Sequence, residues 1–472
     1  MEEMILRLLE YNPTSLLIIA IVFLGILLLI VKLIHGDFNF LKNKYIRTFK
    51  SDLKDIKNQD NINLKKSEGS ILLGQNPNKK DIYLKDNAKN VYVVGTTGSG
   101  KSVALSNFIK YGVDKDIPML IIDGKGSTDE GSLLDITNKL KKNKKVYIID
   151  LNNPITSDKY NPFCNTSYTV VKDMLINMTD WSEEHYKYNT ERYLQKLVEL
   201  LVRGGIKLSF KSIIEHMNVE SFKLLSTRLV NDDILTKEEH IRNMELLADT
   251  EKIIQGAYAR FCTIFESELG AIFDDDGIDI YKALEENAII LFVLNPLIYP
   301  ELSKLIGRLI IIDSKKAVSN LYKNRIERGF FIFDEINVYA STSLLDLVNK
   351  SRSANITSIL ASQSLSDLEE NVSEHFKEQI IENCNNYIVL RQNSSKNSEA
   401  WANIIGTKEV MDMTYQIKSD KSSTIDTGLG SARRVREFLF HPDEIKNLKT
   451  GHGFLVSKDN NFKSKIIINK PF

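Results

Sequence analysis

Val91-Tyr92-Val93-Val94-Gly95-Thr96-Thr97-Gly98-Ser99-Gly100-Lys101-Ser102 is the stretch on which the fold turns. A β-branched and aromatic run enters a glycine-rich loop that matches GxxxxGK[ST] in full, and the pattern from Ser102 to Tyr111 is helical. Strand, loop and helix in that order form the setting in which such a loop wraps a triphosphate. The backbone of Gly95, Thr96, Thr97, Gly98, Ser99 and Gly100 is expected to turn its N–H groups toward the phosphates, which side chains at the glycine positions would obstruct. The helix beginning near Lys101 adds the positive end of its dipole. Lys101 is expected to reach the β- and γ-phosphates and the Ser102 hydroxyl to ligate Mg²⁺, so ATP and Mg²⁺ are the expected ligands.

A second apolar strand, Phe330-Phe331-Ile332-Phe333, delivers Asp334 and Glu335 at its C-terminal end. Ligands of parallel sheets sit at that edge. Asp334 is expected to hold Mg²⁺, through water, and Glu335 to polarise the attacking water. A glutamate directly after the aspartate favours an ATPase over a small switch GTPase. The strand Thr357–Ser362, placed beside the Asp334 strand, ends at Gln363, whose amide is suited to contact the γ-phosphate and report its loss. Arg352 lies eleven residues before Gln363, after an expected helix over Leu344–Lys350. Exposed arginines mostly solubilise, and the residues around Arg352 do not single it out.

Short apolar strands at Met119–Ile122, Val146–Ile149, Ile289–Leu294, Phe330–Phe333, Ile356–Ala361 and Tyr387–Leu390 alternate with helical patterns, which indicates an α/β fold with a mostly parallel sheet and crossover helices. Between 166 and 286 strand signals almost vanish. Tyr193, Leu194, Leu197, Val198, Leu200 and Leu201 follow helical spacing, and Thr236 with Glu239 reads as a capping box. The expected organisation is a membrane anchor over 1–35, a linker with a small hairpin over 36–85, a nucleotide-binding domain split into 86–165 and 287–472, and an all-helical insertion over 166–286. The C-terminal end is expected to be β-rich, with strands at Phe438–Phe440, Gly453–Val456 and Lys465–Ile468.

Leu16–Ile34 is apolar apart from Gly25 and Lys32. Nineteen helical residues span about 28 Å, close to the hydrocarbon thickness of a bilayer. Glu2, Glu3 and Glu10 precede this run, whereas Lys32, Lys42, Lys44, Arg47 and Lys50 close or follow it. Positive flanks stay inside, so a single pass through the plasma membrane with the N-terminus outside and the rest cytoplasmic is expected. Over all 472 residues 62 basic side chains balance 62 acidic ones, which excludes nucleic-acid binding through bulk charge. Cys164, Cys262 and Cys384 are too scattered for a disulfide framework or a zinc site. Asp274-Asp275-Asp276-Gly277 fails the spacing of a calcium loop. His185, His216, His240, His375, His441 and His452 show no metal-binding spacing, and Arg433, Arg434 and Arg436 fit either a phosphate contact or a solvated basic turn.

In this order the pieces resemble the type IV secretion coupling proteins, the TraG/TraD-type ATPases of conjugative DNA transfer. The likeness rests on the glycine-rich loop, the turn Asp123-Gly124-Lys125-Gly126, the segment Asp158-Lys159-Tyr160-Asn161-Pro162-Phe163, Phe333-Asp334-Glu335, Ala361-Ser362-Gln363-Ser364-Leu365-Ser366-Asp367-Leu368 and Pro442-Asp443-Glu444-Ile445. It covers roughly residues 70–460. The resemblance implies a RecA-like P-loop NTPase interrupted by a helical domain, a membrane-anchored homo-hexamer that moves single- or double-stranded DNA, and partners in the secretion channel and the relaxosome. It implies Arg352 as an arginine finger reaching a neighbour's ATP. Gly124 departs from the proline of many members, one span is visible where many have two, and the sequence ends in Lys-Ile-Ile-Ile-Asn-Lys-Pro-Phe instead of the acidic run by which some members dock partners. A DNA-segregation motor of the FtsK or HerA type and a membrane ATPase exporting protein alone share this chemistry, and DNA-stimulated hydrolysis separates them. An ATP-binding scaffold without turnover is disfavoured by the full set of hydrolytic residue types.

Overall fold

The computed structural model describes residues 21–27, 30, 64–420 and 423–472, with 413–432 described by backbone alone. The chain divides into two units, Met1–Asn61 and Ile62–Phe472. In the first, residues 21–27 and 30 are helical. The rest of the expected span lies outside the described residues, and among the described residues no helix is long and apolar enough to cross a membrane.

The second unit is built on an eleven-stranded sheet. Its strands in chain order are β1 (Ser70–Gln75), β2 (Asp81–Lys85), β3 (Val91–Val94), β4 (Met119–Asp123), β5 (Val146–Asp150), β6 (Ile289–Val293), β7 (Gly329–Asp334), β8 (Ile356–Ser362) and β9 (Asn386–Val389). A separate two-stranded ribbon, β10 (Thr407–Asp420) and β11 (Ser423–Phe438), precedes β12 (His452–Ser457) and β13 (Phe462–Ile468), which return to the main sheet. The order is β2-β1-β13-β12-β9-β3-β8-β7-β4-β6-β5. From β9 to β5 every neighbouring pair is parallel, and from β2 to β9 every pair is antiparallel.

β4, β6 and β7 are buried along their whole length, which is why they read as unbroken apolar runs instead of alternating ones. Alternation within the sheet sorts their side chains to two cores. Val91, Val93, Ile121, Phe330, Ile332 and Ile359 pack on one face with Leu105, Phe108 and Ile109 of the helix Lys101–Asp114. Tyr92, Val94, Ile122, Phe331, Phe333 and Leu360 face the other core, which continues into the helices of the middle of the chain.

Those helices are Tyr168–Asn177, Glu184–Arg203, Phe210–Met217, Val219–Asn231 and Lys237–Phe265. Tyr193 is buried among them and its hydroxyl donates to Met217 O at 2.7 Å. The chain enters and leaves this segment at one place. Tyr160 N donates to Ile272 O at 2.8 Å and Asn161 N to Ile278 O at 3.1 Å. The Tyr160 hydroxyl donates to the fully buried Asp313 at 2.8 Å, and Lys316 Nζ donates to Pro162 O at 2.8 Å. The entry segment is thereby tied to the helix Pro300–Leu321 beneath it. The capping box read in the sequence is present: Thr236 Oγ1 accepts from Glu239 N at 3.1 Å while Glu239 Oε2 accepts from Thr236 N at 2.8 Å. Thr236→Ala should lower the unfolding free energy by about 1 kcal/mol, read in a denaturant titration.

Two expectations need correction. The strand expected at Phe438–Phe440 is only the last residue of a much longer ribbon, in which Thr407 pairs with Phe438 and Asp420 with Ser423. The described side chains of this ribbon, 407–412 and 433–438, are all exposed or half-buried, so the apolar periodicity that marks buried strands elsewhere is missing here. Arg433, Arg434 and Arg436 accordingly stand exposed on a strand, not a turn, with Arg436 3.8 Å from Glu409 across it. Asp274-Asp275-Asp276-Gly277 is a turn held from within, Asp274 Oδ1 accepting from Asp276 N at 2.9 Å.

Candidate nucleotide site

β3 delivers the loop Gly95–Gly100 to the carboxyl edge of the sheet, and the helix Lys101–Asp114 leads away from it. Gly98 and Gly100 have φ of 74° and 109°, the left-handed region that glycine enters without steric cost. A Cβ on Gly95 would lie 2.4 Å from Ser99 Oγ and 2.7 Å from Leu390 Cβ. Gly100 caps the helix without a side chain, so no capping side chain competes for the amides of the first turn. Lys101 Nζ donates to Gly95 O at 2.8 Å and lies 3.3 Å from Glu335 Oε1, both side chains being 8% exposed.

Asp334 ends β7, and Glu335 follows it with φ 48° and ψ 55°. That left-handed step at a residue other than glycine turns the glutamate toward the loop. β4 lies alongside, with Asp123 opposite Asp334. Burial pushes the Asp334 carboxyl up to about 8, reinforced by the charges of Glu335 and Asp123 and opposed by Lys101. Burial likewise raises Asp123 to about 6, against hydrogen bonds from the Gly126 and Lys125 amides at 3.1 and 2.9 Å. Three acids thus crowd one lysine, and Glu335 Oε2 is buried without a hydrogen-bond partner among the described residues.

This excess of hard oxygen donors fits a magnesium ion. No group of three or more His, Cys, Asp or Glu side chains among the described residues is placed to hold a metal unaided. The fit is therefore to an ion shared with phosphate oxygens, as Mg²⁺ is usually held, which Ser102 and Asp334 would help to hold.

Gln363 follows β8, which pairs with both β3 and β7. Its Nε2 donates to Glu335 Oε1 at 3.3 Å, and its Oε1 accepts from Thr97 Oγ1 at 3.4 Å. The tertiary structure brings Thr97, Lys101, Asp334, Glu335 and Gln363 together. It does not bring Arg352 there. Arg352 precedes β8 and Gln363 follows it, so the length of the strand, roughly 20 Å, separates them. The Arg352 side chain is exposed and makes no ion pair among the described residues.

Several neighbours were not read from the sequence as site residues, Asp123 and Gly124 entering it only as a turn that carries the resemblance. Asp123 could have been found by the signal that marks Asp334, an apolar strand ending in an acid. Gln392, 1% exposed, donates to Gln363 O at 3.2 Å, and the Tyr339 hydroxyl donates to Asp334 O at 2.9 Å. Contrary to expectation, three loop amides are turned to backbone carbonyls and not to the phosphate side: Gly95 N donates to Ser362 O at 3.3 Å, Thr96 N to Arg391 O at 3.0 Å and Ser99 N to Thr96 O at 3.0 Å. The reason is that the first two continue the pairing of neighbouring strands and the third closes the turn. Gly124 permits a close approach: a Cβ there would lie 2.7 Å from Asp334 O.

Residues 328–450 match the family model described as the TraM recognition site of TraD and TraG. The fold is similar to that of the bacterial conjugative coupling protein TrwB, with a TM-score of 0.62 and 17% identity over 87% of this chain and 90% of that one. The segment 328–450 thus matches the TraG/TraD type, and the likeness to the coupling protein TrwB over the larger part of the chain is one of fold. Other TrwB structures hold ADP with Mg²⁺ or a non-hydrolysable ATP analogue. VirB4 of Thermoanaerobacter pseudethanolicus is similar in fold at a TM-score of 0.52 and 14% identity, over 86% of this chain and 97% of that one. Two uncharacterized proteins of Mycoplasma pneumoniae match shorter stretches. One is 31% identical over 104 residues, 22% of this chain and 69% of the other; the second is 34% identical over 92 residues, 16% and 77% respectively. The matched segment contains Asp334, Glu335, Arg352 and Gln363 as well as the β10–β11 ribbon.

Proposed function

We propose that the chain is a membrane-anchored, ATP-hydrolysing motor that feeds DNA, or a protein–DNA complex, to a conjugative type IV secretion channel. The observation that supports this most is the convergence of Lys101, Asp334, Glu335 and Gln363 on one glycine loop at the carboxyl edge of the sheet. On this reading the loop amides and Lys101 hold the triphosphate, and Lys101 exchanges its contact with Glu335 for phosphate oxygens. Glu335, so released, accepts the proton of the attacking water, and Gln363, bonded to both Glu335 and Thr97, links the water to the γ-phosphate end. Ser102 and Asp334 would hold Mg²⁺ bound with the nucleotide, and the ion would supply charge neutralisation for the triphosphate.

Working as a hexamer at the plasma membrane, the motor would take relaxosome proteins on residues 328–450. Hydrolysis by the full chain in vesicles should rise several-fold on adding single- or double-stranded DNA. Absence of any hydrolysis would remove the motor reading, and hydrolysis indifferent to DNA would favour export of protein alone. The flanks of 16–34 add a topological expectation: a reporter fused after Phe472 should lie in the cytoplasm. Protease access to it from outside intact cells would reverse the orientation.

A further inference from the structure

The turn Lys449-Thr450-Gly451, between the helix Pro442–Lys446 and β12, rests on the phosphate loop. Thr450 Oγ1 donates to Gly98 O at 3.1 Å across 352 residues of sequence, and Gly451 N donates to Ser99 O at 2.9 Å. The two backbones are close enough that a Cβ on Gly100 would lie 3.2 Å from Gly451 N. Gly451 has φ 75°, and its own carbonyl accepts from Ile468 N at 2.8 Å, which fastens the turn to β13. β12 pairs with β9, and β9 with β3, so the strap and the loop it touches belong to one sheet.

These bonds bear on anion binding. A loop binds phosphate through its N–H groups only if its carbonyls turn away, because each carbonyl oxygen would repel the ligand. The peptide unit is planar and trans, so holding one carbonyl outward points the next N–H the other way. Gly451 holds the Ser99 carbonyl, which directs the Gly100 N–H to the opposite side of the same plane. The Gly98–Ser99 unit is pinned at both ends, its carbonyl by Thr450 and its N–H by Thr96 O at 3.0 Å, so it presents no amide of its own and acts by fixing the peptide plane that precedes the Gly100 N–H.

We propose that Thr450 and Gly451 are positioning residues of the phosphate loop, holding the carbonyls of Gly98 and Ser99 outward so that the loop is shaped for a nucleotide triphosphate before one arrives. This rests on the nucleotide reading above and extends it to a segment distant in sequence.

The test uses the full chain in vesicles, with ATP as the probe. Thr450→Val deletes the hydroxyl at an exposed side chain and keeps its shape. It should raise the KM for ATP roughly 3- to 10-fold, as loss of one hydrogen bond does, with kcat and Tm nearly unchanged. Thr450→Ser should restore the wild-type KM. A Val variant with wild-type KM, a Ser variant as defective as Val, or a loss confined to kcat would each overturn the proposal. Lys101→Ala in the same assay separates the two readings. If the wild type binds ATP, Lys101→Ala does not, and Thr450→Val is indifferent, only the positioning role falls; if the wild type binds no ATP, both fall.

Discussion

Glu335→Gln is expected to bind ATP at least as tightly as the wild-type chain while hydrolysing it about 10²–10⁴ times more slowly, the usual contribution of a positioned general base. Glu335 is buried with one oxygen between Lys101 and Gln363, at 3.3 Å from each, and the other without a partner among the described residues. The amide keeps the shape of the carboxylate and can still accept from Gln363. It cannot take a proton from water. It also removes the charge of Glu335, which is among those that raise Asp334. A polyphosphate therefore meets less repulsion in the variant. Fluorescent ATP binding and phosphate release, measured on the same preparation, separate the two effects. Wild-type turnover would remove Glu335 from the base role, and loss of binding would make it a structural partner of Lys101.

Arg352→Ala should bind ATP as the wild type does and hydrolyse it 10³- to 10⁵-fold more slowly, the range known for arginine fingers. The argument starts from where Arg352 stands. The strand β8 lies between it and Gln363, so it cannot serve the phosphate loop of its own chain. It is exposed and makes no ion pair among the described residues, so its charge is available to another copy. Mixing decides the matter. The Lys101→Ala chain carries an intact Arg352, and the Arg352→Ala chain an intact loop, so two inactive variants should regain activity at mixed interfaces. The experiment belongs at high protein concentration with DNA present. A mixture that stays inactive while rings form would leave Arg352 a surface residue.

The parts of this protein that read directly from the sequence are those whose signal is local. Val91–Ser102 declares strand, loop and helix because glycine spacing, a lysine and a hydroxyl must fall in one short run to enclose phosphate. β4, β6 and β7 stand out because burial on both faces demands uninterrupted apolar residues. Thr236 and Glu239 announce a helix start because a capping box closes within one turn.

What only the tertiary structure decided involves residues distant in the chain, or elements with no apolar face. The β10–β11 ribbon is held by backbone pairing, and its described side chains are exposed or half-buried, so they leave no apolar period to detect. Asp123 joins Asp334 because β4 and β7 are neighbours, and strand order is a property of the whole sheet. Gln363 meets Glu335 and Thr97 because β8 lies between β7 and β3; Arg352, only eleven residues earlier, is carried to the far edge by that same strand. Thr450 reaches Gly98 because β12 folds back beside β9. Local patterns select elements, since backbone geometry and burial act over a few residues. Which side chains meet is settled by long-range packing of the strands, and no short stretch of sequence carries that.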